Sequence, residues 1–109
     1  MNSKRKGNAG ERELLDILRR NGIESWRNDQ KYVGGRDNPD IGCRVEGIPV
    51  HIECKRCEKL SLYAAMDQAI RDSAGNSMPI VVHRRNGKPW LVIARLDDVL
   101  KTKSQIKPR

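Results

Sequence analysis

The sequence predicts an α/β fold, a central mixed β-sheet flanked by helices in the order α-β-β-β-α-β-β with a small final helix. Three observations predict it. Two stretches, about residues 8–20 and 62–74, repeat apolar residues at helical spacing. Between them lie two alternating segments joined around Glu46-Gly47, and after them two more joined by Asn86-Gly87, both hairpin signals. At 109 residues the chain has room for a single domain (1–109) with one modest core, built from Leu, Ile and Val because Phe is absent.

Taken in order, Met1–Gly7 reads as a flexible basic arm, as do the last residues, about Lys101–Arg109. The first helix is expected over Asn8–Arg20, stopped by Asn21-Gly22. Leu14, Leu15 and Leu18 form its apolar stripe, and Glu11 falls about 20° from Leu18 on the helical wheel. A carboxylate on the inward face is costly unless a partner or a metal waits there. Ile23–Arg27 is a short strand. Asn28–Pro39, with Gly34-Gly35, Asp37 and Pro39, is a loop.

Asp40–Val45 and Pro49–Arg56 follow as an antiparallel hairpin. Alternation turns Val50, Ile52 and Cys54 to one face of its second strand, and His51, Glu53 and Lys55 to the other. Ser61 is placed to cap a second helix over Leu62–Ala74, with Met66, Ala69, Ile70 and Ser73 on one face and Gly75-Asn76 at its end. Ile80–Arg84 and Trp90–Ala94 are the last strands. Asp97 is placed to cap a helix through Leu100.

Twenty-two Lys and Arg against 14 Asp and Glu give a net charge of +8, the electrostatic footprint of a polyanion partner. A membrane role is not expected: no apolar run approaches the roughly 20 residues that span a bilayer, and the basic N-terminus leads into no signal-peptide core. The chain is therefore expected to be intracellular. Three cysteines without a secretory signal predict no disulfide framework.

The chemistry concentrates in Pro39-Asp40 and, thirteen positions after Asp40, Glu53-Cys54-Lys55. Asp40 opens one hairpin strand and Glu53 lies near the end of its neighbour. A dozen residues suffice to run out, turn and return, so the two carboxylates can lie side by side and hold a hard divalent cation such as Mg²⁺ or Mn²⁺. Lys55, on the same strand face, can orient or help deprotonate a water, or stabilise charge on a phosphate. Glu11 adds a third carboxylate from the first helix. Together these residues point to metal-assisted hydrolysis of a phosphodiester.

Lys6-Gly7, Gly10-Glu11-Arg12-Glu13, Pro39-Asp40-Ile41 and Glu53-Cys54-Lys55 resemble the PD-(D/E)xK nucleases, and most closely the small archaeal-type Holliday junction resolvases and their phage relatives. The resemblance extends over about residues 4–95. It implies a restriction-endonuclease-like fold, a homodimer, and Mg²⁺-dependent cutting of four-way DNA junctions, with Mn²⁺ able to substitute. It implies Glu11, Asp40, Glu53 and Lys55 as the catalytic set, with Glu11, Asp40 and Glu53 on the metal. Arg12 would contact phosphate, alongside Lys4, Arg5 and Lys6. Location would be the cytoplasm, or that of an infected host for a phage protein. The second helix and the Ile80–Ala94 hairpin are the alternative dimer faces.

Rival readings of the same letters are weaker. Asp37 competes with Asp40 but sits among turn-forming residues, whereas Asp40 directly begins the Ile41/Cys43/Val45 alternation. His51-Ile52-Glu53 and the Cys54…Cys57 pair look like fragments of a zinc site, yet alternation points His51 and Cys54 apart and no second ligand pair exists. Gln68 is either a solvated helix residue or a polar group near the site. Trp26, Tyr32 and Trp90 are expected to be core more than base-stacking residues. Two other functions fit the same residues: a nicking or restriction-like nuclease without junction preference, and a non-catalytic basic DNA-binding module. The acidic set with Lys55 argues against the module, which has no need of it.

Overall fold

A computed structural model describes the backbone of residues 3–28 and 40–103, with side chains for residues 9–28 and 41–103. The loop carrying Tyr32, Asp37 and Pro39 lies outside the described residues, as do the side chains of Lys4, Arg5, Lys6 and Asp40. The elements are α1 (Ser3–Arg20), β1 (Glu24–Asn28), β2 (Asp40–Val45), β3 (Ile48–Arg56), α2 (Leu62–Ser73), β4 (Met78–Arg84), β5 (Leu91–Ala94) and α3 (Leu96–Thr102). The expected element order is the observed one.

One five-stranded sheet runs β1-β2-β3-β4-β5. All neighbours pair antiparallel except β3 and β4, which α2 connects as a parallel crossover. The sheet is therefore mixed. Leu14 and Leu15 of α1 pack with Ile41, Cys43, Val50, Ile52 and Val82 on one face. Ala65, Met66 and Ala69 of α2 pack with Val81 on the other. Strand β3 thus lies between two helices, and its stretch Val50–Glu53 is buried on both faces.

Local chemistry sets most boundaries. α1 ends in a Schellman arrangement: the Ile23 amide donates to the Leu18 carbonyl at 2.9 Å and the Gly22 amide to that of Arg19 at 3.0 Å. Gly22 takes the positive φ of 77° that this stop demands. Glu46 and Gly47, at φ 51° and 80°, form the two-residue turn that sets the Val45↔Ile48 register.

Four expectations need correction. α1 starts at Ser3, not Asn8, so Ser3–Gly7 is helical rather than an arm. Lys and Arg are good helix formers, and Gly10, inside the expected helix, serves packing: a Cβ on it would come 2.5 Å from Cβ of Arg56 on β3. Ser61 is the N-cap of α2 but its hydroxyl makes no capping bond. Arg95, not Asp97, is the N-cap of α3, and that helix takes in Lys101 and Thr102 from the expected tail. Trp26 is not core. It is 36 % exposed, its ring lying over Gly42, where a Cβ would meet the indole nitrogen at 2.6 Å.

Candidate active site

The motif face of the sheet is the α2 face. Glu53 is the Cα partner of Val81, which packs beneath α2. Glu53 is 1 % exposed, a carboxylate buried beside the apolar cluster of Ala65, Met66, Ala69 and Val81. Burial of this kind is tolerated only where positive charge is close. Lys55 supplies some: its Nζ lies 3.7 Å from Oε1 of Glu53 and donates a long bond to Oε1 of Gln68 at 3.5 Å. The α2 residue Gln68, ambiguous in the sequence, thus touches the lysine of the motif.

Asp40 enters through the backbone. In the β2–β3 ladder Ile41 faces Ile52 and Gly42 faces His51. Continuing the register one step sets the Asp40 backbone opposite Glu53. Asp40 is also the Cα partner of Asn28 on β1. The hairpin that the thirteen-residue spacing implied therefore exists, with the register that brings the two positions together.

Glu11 is 4 % exposed, as its place on the helical wheel predicts. It approaches from the α1 face. Its Oε1 accepts a hydrogen bond from Nη2 of Arg27 at 2.9 Å, and Arg27 is the Cα partner of Ile41, a residue of the α1-side core. Glu11 and Glu53 both lie near enough to Cys54 of β3 to act on its thiol. Burial, aided by the carboxylates of Glu11, Glu53 and Glu13 and opposed by Lys55, pushes the Cys54 thiol up to about 12. That thiol is neutral at physiological pH, in keeping with the apolar strand face on which the alternation sets it.

Beside Glu11 the middle of α1 is tied to β3 and β4 through Glu13. Its carboxylate accepts from Nη2 of Arg84 at 3.1 Å and Nε1 of Trp90 at 3.3 Å, with Nε of Arg56 at 3.9 Å. The Arg84 guanidinium lies over the Trp90 ring, 5.6 Å from its centroid. Arg12, the next residue after Glu11, is exposed.

Two residues absent from the sequence-derived set stand at the site. His51, Glu53 and Asp72 bring one ligand atom each to within 4.8 Å of the others. His51 shares the strand face of Glu53, a relation visible in the alternation. Asp72 lies four residues after Gln68, the same side of α2. Neither signal meant anything until the packing of α2 on β3 was known. His51 and Cys54, the pair dismissed as zinc ligands, do lie on opposite faces, as the two cores require.

Comparison with known proteins bears on this arrangement. A family model described as phage putative PDDEXK endonuclease matches residues 2–108. Among solved structures the chain is similar to Hjc, a Holliday junction resolvase from the archaeal hyperthermophile Archaeoglobus fulgidus. The match has a TM-score of 0.62 at 20 % identity and covers 80 % of this chain and 75 % of that one. No curated protein matches the sequence.

Proposed function

Because the chain belongs to the phage PDDEXK endonuclease family, we propose that it is a divalent-metal-dependent DNA endonuclease acting on four-way junctions as a homodimer. The observation that carries the reading is Glu53: a carboxylate 1 % exposed, 3.7 Å from Lys55, on the strand whose register meets Asp40. A buried carboxylate flanked by a carboxylate-bearing strand and a lysine fits a hard cation and has little use as a structural ion pair. Asp40, Glu53 and Glu11 would hold Mg²⁺, with Mn²⁺ able to substitute.

A bound divalent cation supplies charge neutralisation at the phosphodiester and acidifies the attacking water. The chain's own residues do the rest. Lys55, held between Glu53 and Gln68, presents an ammonium to the phosphate oxygens, where negative charge grows as water adds to phosphorus and the bond to the 3′ oxygen breaks. Arg12, with Lys4, Arg5 and Lys6, binds backbone phosphates flanking the cut. Arg27 holds the Glu11 carboxylate in place.

Symmetric cutting of a junction needs two sites, and each chain has one. A second copy fits best against the α1-side groove, an open apolar cavity of about 480 Å³ lined by residues including Leu18, Val50, Ile80, Val92 and Val99. Val92 and Val99, which line it, are 68 and 46 % exposed, and α3 buries no residue among those described. Of the two interfaces the sequence allowed, this favours the hairpin side, since Ala65, Met66 and Ala69 of α2 are already buried. A dimer joined there leaves the Glu53 face free for DNA. Among the described residues no helix is long and apolar enough to cross a membrane.

The test is cleavage of a labelled four-way junction and of linear duplex of the same sequence, each in Mg²⁺ and in EDTA. Cleavage of the junction well above the duplex, abolished by EDTA, is expected. Equal cutting of both substrates would replace the resolvase with a nicking nuclease, and no cutting would leave a binding module.

A further inference from the structure

We infer that His51 and Asp72 join Glu53 in a divalent-cation site with a nitrogen ligand, extending the motif's metal centre toward α2. The inference rests on the metal-dependent reading above and names ligands that the PD…ExK pattern does not contain.

The placement follows from alternation and crossover packing. His51 and Glu53 are two apart on β3 and point to the α2 face, and Asp72 stands in the last turn of α2 above them. One ligand atom from each lies within 4.8 Å of the other two. Ligands about 2.0–2.2 Å from a common ion lie about 3–4.4 Å apart, and three cannot all be at the upper limit, so the three side chains must draw together by roughly an ångström. Side-chain torsions of an exposed Asp72 supply that movement.

Burial sharpens the case. His51 is 6 % and Glu53 1 % exposed, whereas Asp72 is exposed. The site therefore has a buried floor and one ligand at its mouth, which suits an ion that must enter from solvent and meet a substrate. Lys55 lies 3.7 Å from Glu53 and marks the side on which the phosphate would approach.

The donor set selects among metals. Mg²⁺ takes oxygen ligands and gives up water reluctantly, while imidazole favours Mn²⁺ and the later transition metals. One imidazole with two carboxylates predicts tighter binding of Mn²⁺ than of Mg²⁺ by the DNA-free protein.

Electron paramagnetic resonance of Mn²⁺ bound to the full chain without DNA tests the inference. Electron spin-echo modulation should show coupling to a ¹⁴N nucleus, lost in His51→Gln. Asp72→Asn, an exposed change that leaves the core intact, should weaken Mn²⁺ binding by about tenfold or more, since even residues supporting metal ligands contribute tenfold to a hundredfold. Thermal melts of both variants establish that they are folded. Absence of ¹⁴N coupling in the wild type, its persistence in His51→Gln, or unchanged Mn²⁺ affinity in Asp72→Asn would each overturn the inference. The two readings fail separately: DNA cleavage without nitrogen coupling refutes this site alone, and nitrogen coupling without cleavage refutes the nuclease alone.

Discussion

Lys55 and Arg12 are both cations, and the structure places them in different surroundings. Lys55 is half-buried, fixed beside Glu53 and Gln68, so its charge is aimed at one place. Arg12 is exposed on α1, free to meet a phosphate at the surface. Lys55→Met should therefore lower kcat by about two orders of magnitude, about 2.7 kcal/mol of barrier, and leave DNA affinity nearly unchanged. Arg12→Ala should leave kcat at saturating DNA alone, weaken binding, and reduce the slope of log K against log salt by about one. Single-turnover cleavage and salt-titrated binding separate the two. Equal effects of both variants on kcat would contradict the assignment.

At the scale of elements, two glycine-related positions make opposite predictions. Ala74 closes α2 in the left-handed region at φ 51°, where an L side chain costs about 1 kcal/mol. Ala74→Gly should raise Tm by about 4 °C in thermal unfolding. Gly10 has the reverse logic. Alanine is the better helix former, but its Cβ would lie 2.5 Å from Cβ of Arg56, an atom fixed to the β3 backbone. Gly10→Ala should force α1 off the sheet and destabilise by about 1–3 kcal/mol, read as a lower urea midpoint. A rise in that midpoint would mean α1 and β3 are not packed this closely.

These positions also explain what the sequence made legible. The β2–β3 hairpin was readable because Glu46-Gly47 names its turn and Val50/Ile52 against His51/Glu53 names its faces. Those signals are local, and they carried Glu53 and Lys55 to the right strand face. The start of α1 was placed late because the basic run before Asn8 reads as a solvated arm, and only the distant Arg56 explains why a glycine stands at position 10. His51 and Asp72 were missed for the same reason: their proximity is made by a crossover, and no spacing along the chain encodes it. Trp26 was expected inside because it is large and apolar, yet Gly42 leaves a shallow seat for it at the surface.

For the whole molecule, charge and apolar surface divide the labour. A net charge of +8 draws the chain to a polyanion, while the exposed Val92 and Val99 line the groove on the sheet face turned away from Glu53 and Lys55. A second copy can bury them without blocking the site. Light scattering at micromolar concentration should give twice the 12.4 kDa chain mass, falling to the monomer in Val92→Glu with the fold retained. A wild-type monomer, also monomeric on a junction, would remove the paired-cut reading.

We propose that Asp40 and Glu53 form one metal-dependent nuclease centre. Its most direct test is a denaturing-gel time course on end-labelled four-way junction in Mg²⁺, comparing the wild type with Asp40→Asn and Glu53→Gln. Both substitutions keep shape and remove only the charge. Cleavage by the wild type and by neither variant is expected, with junction binding retained by all three proteins. Cleavage by either variant at a rate near that of the wild type would show that the centre lies elsewhere.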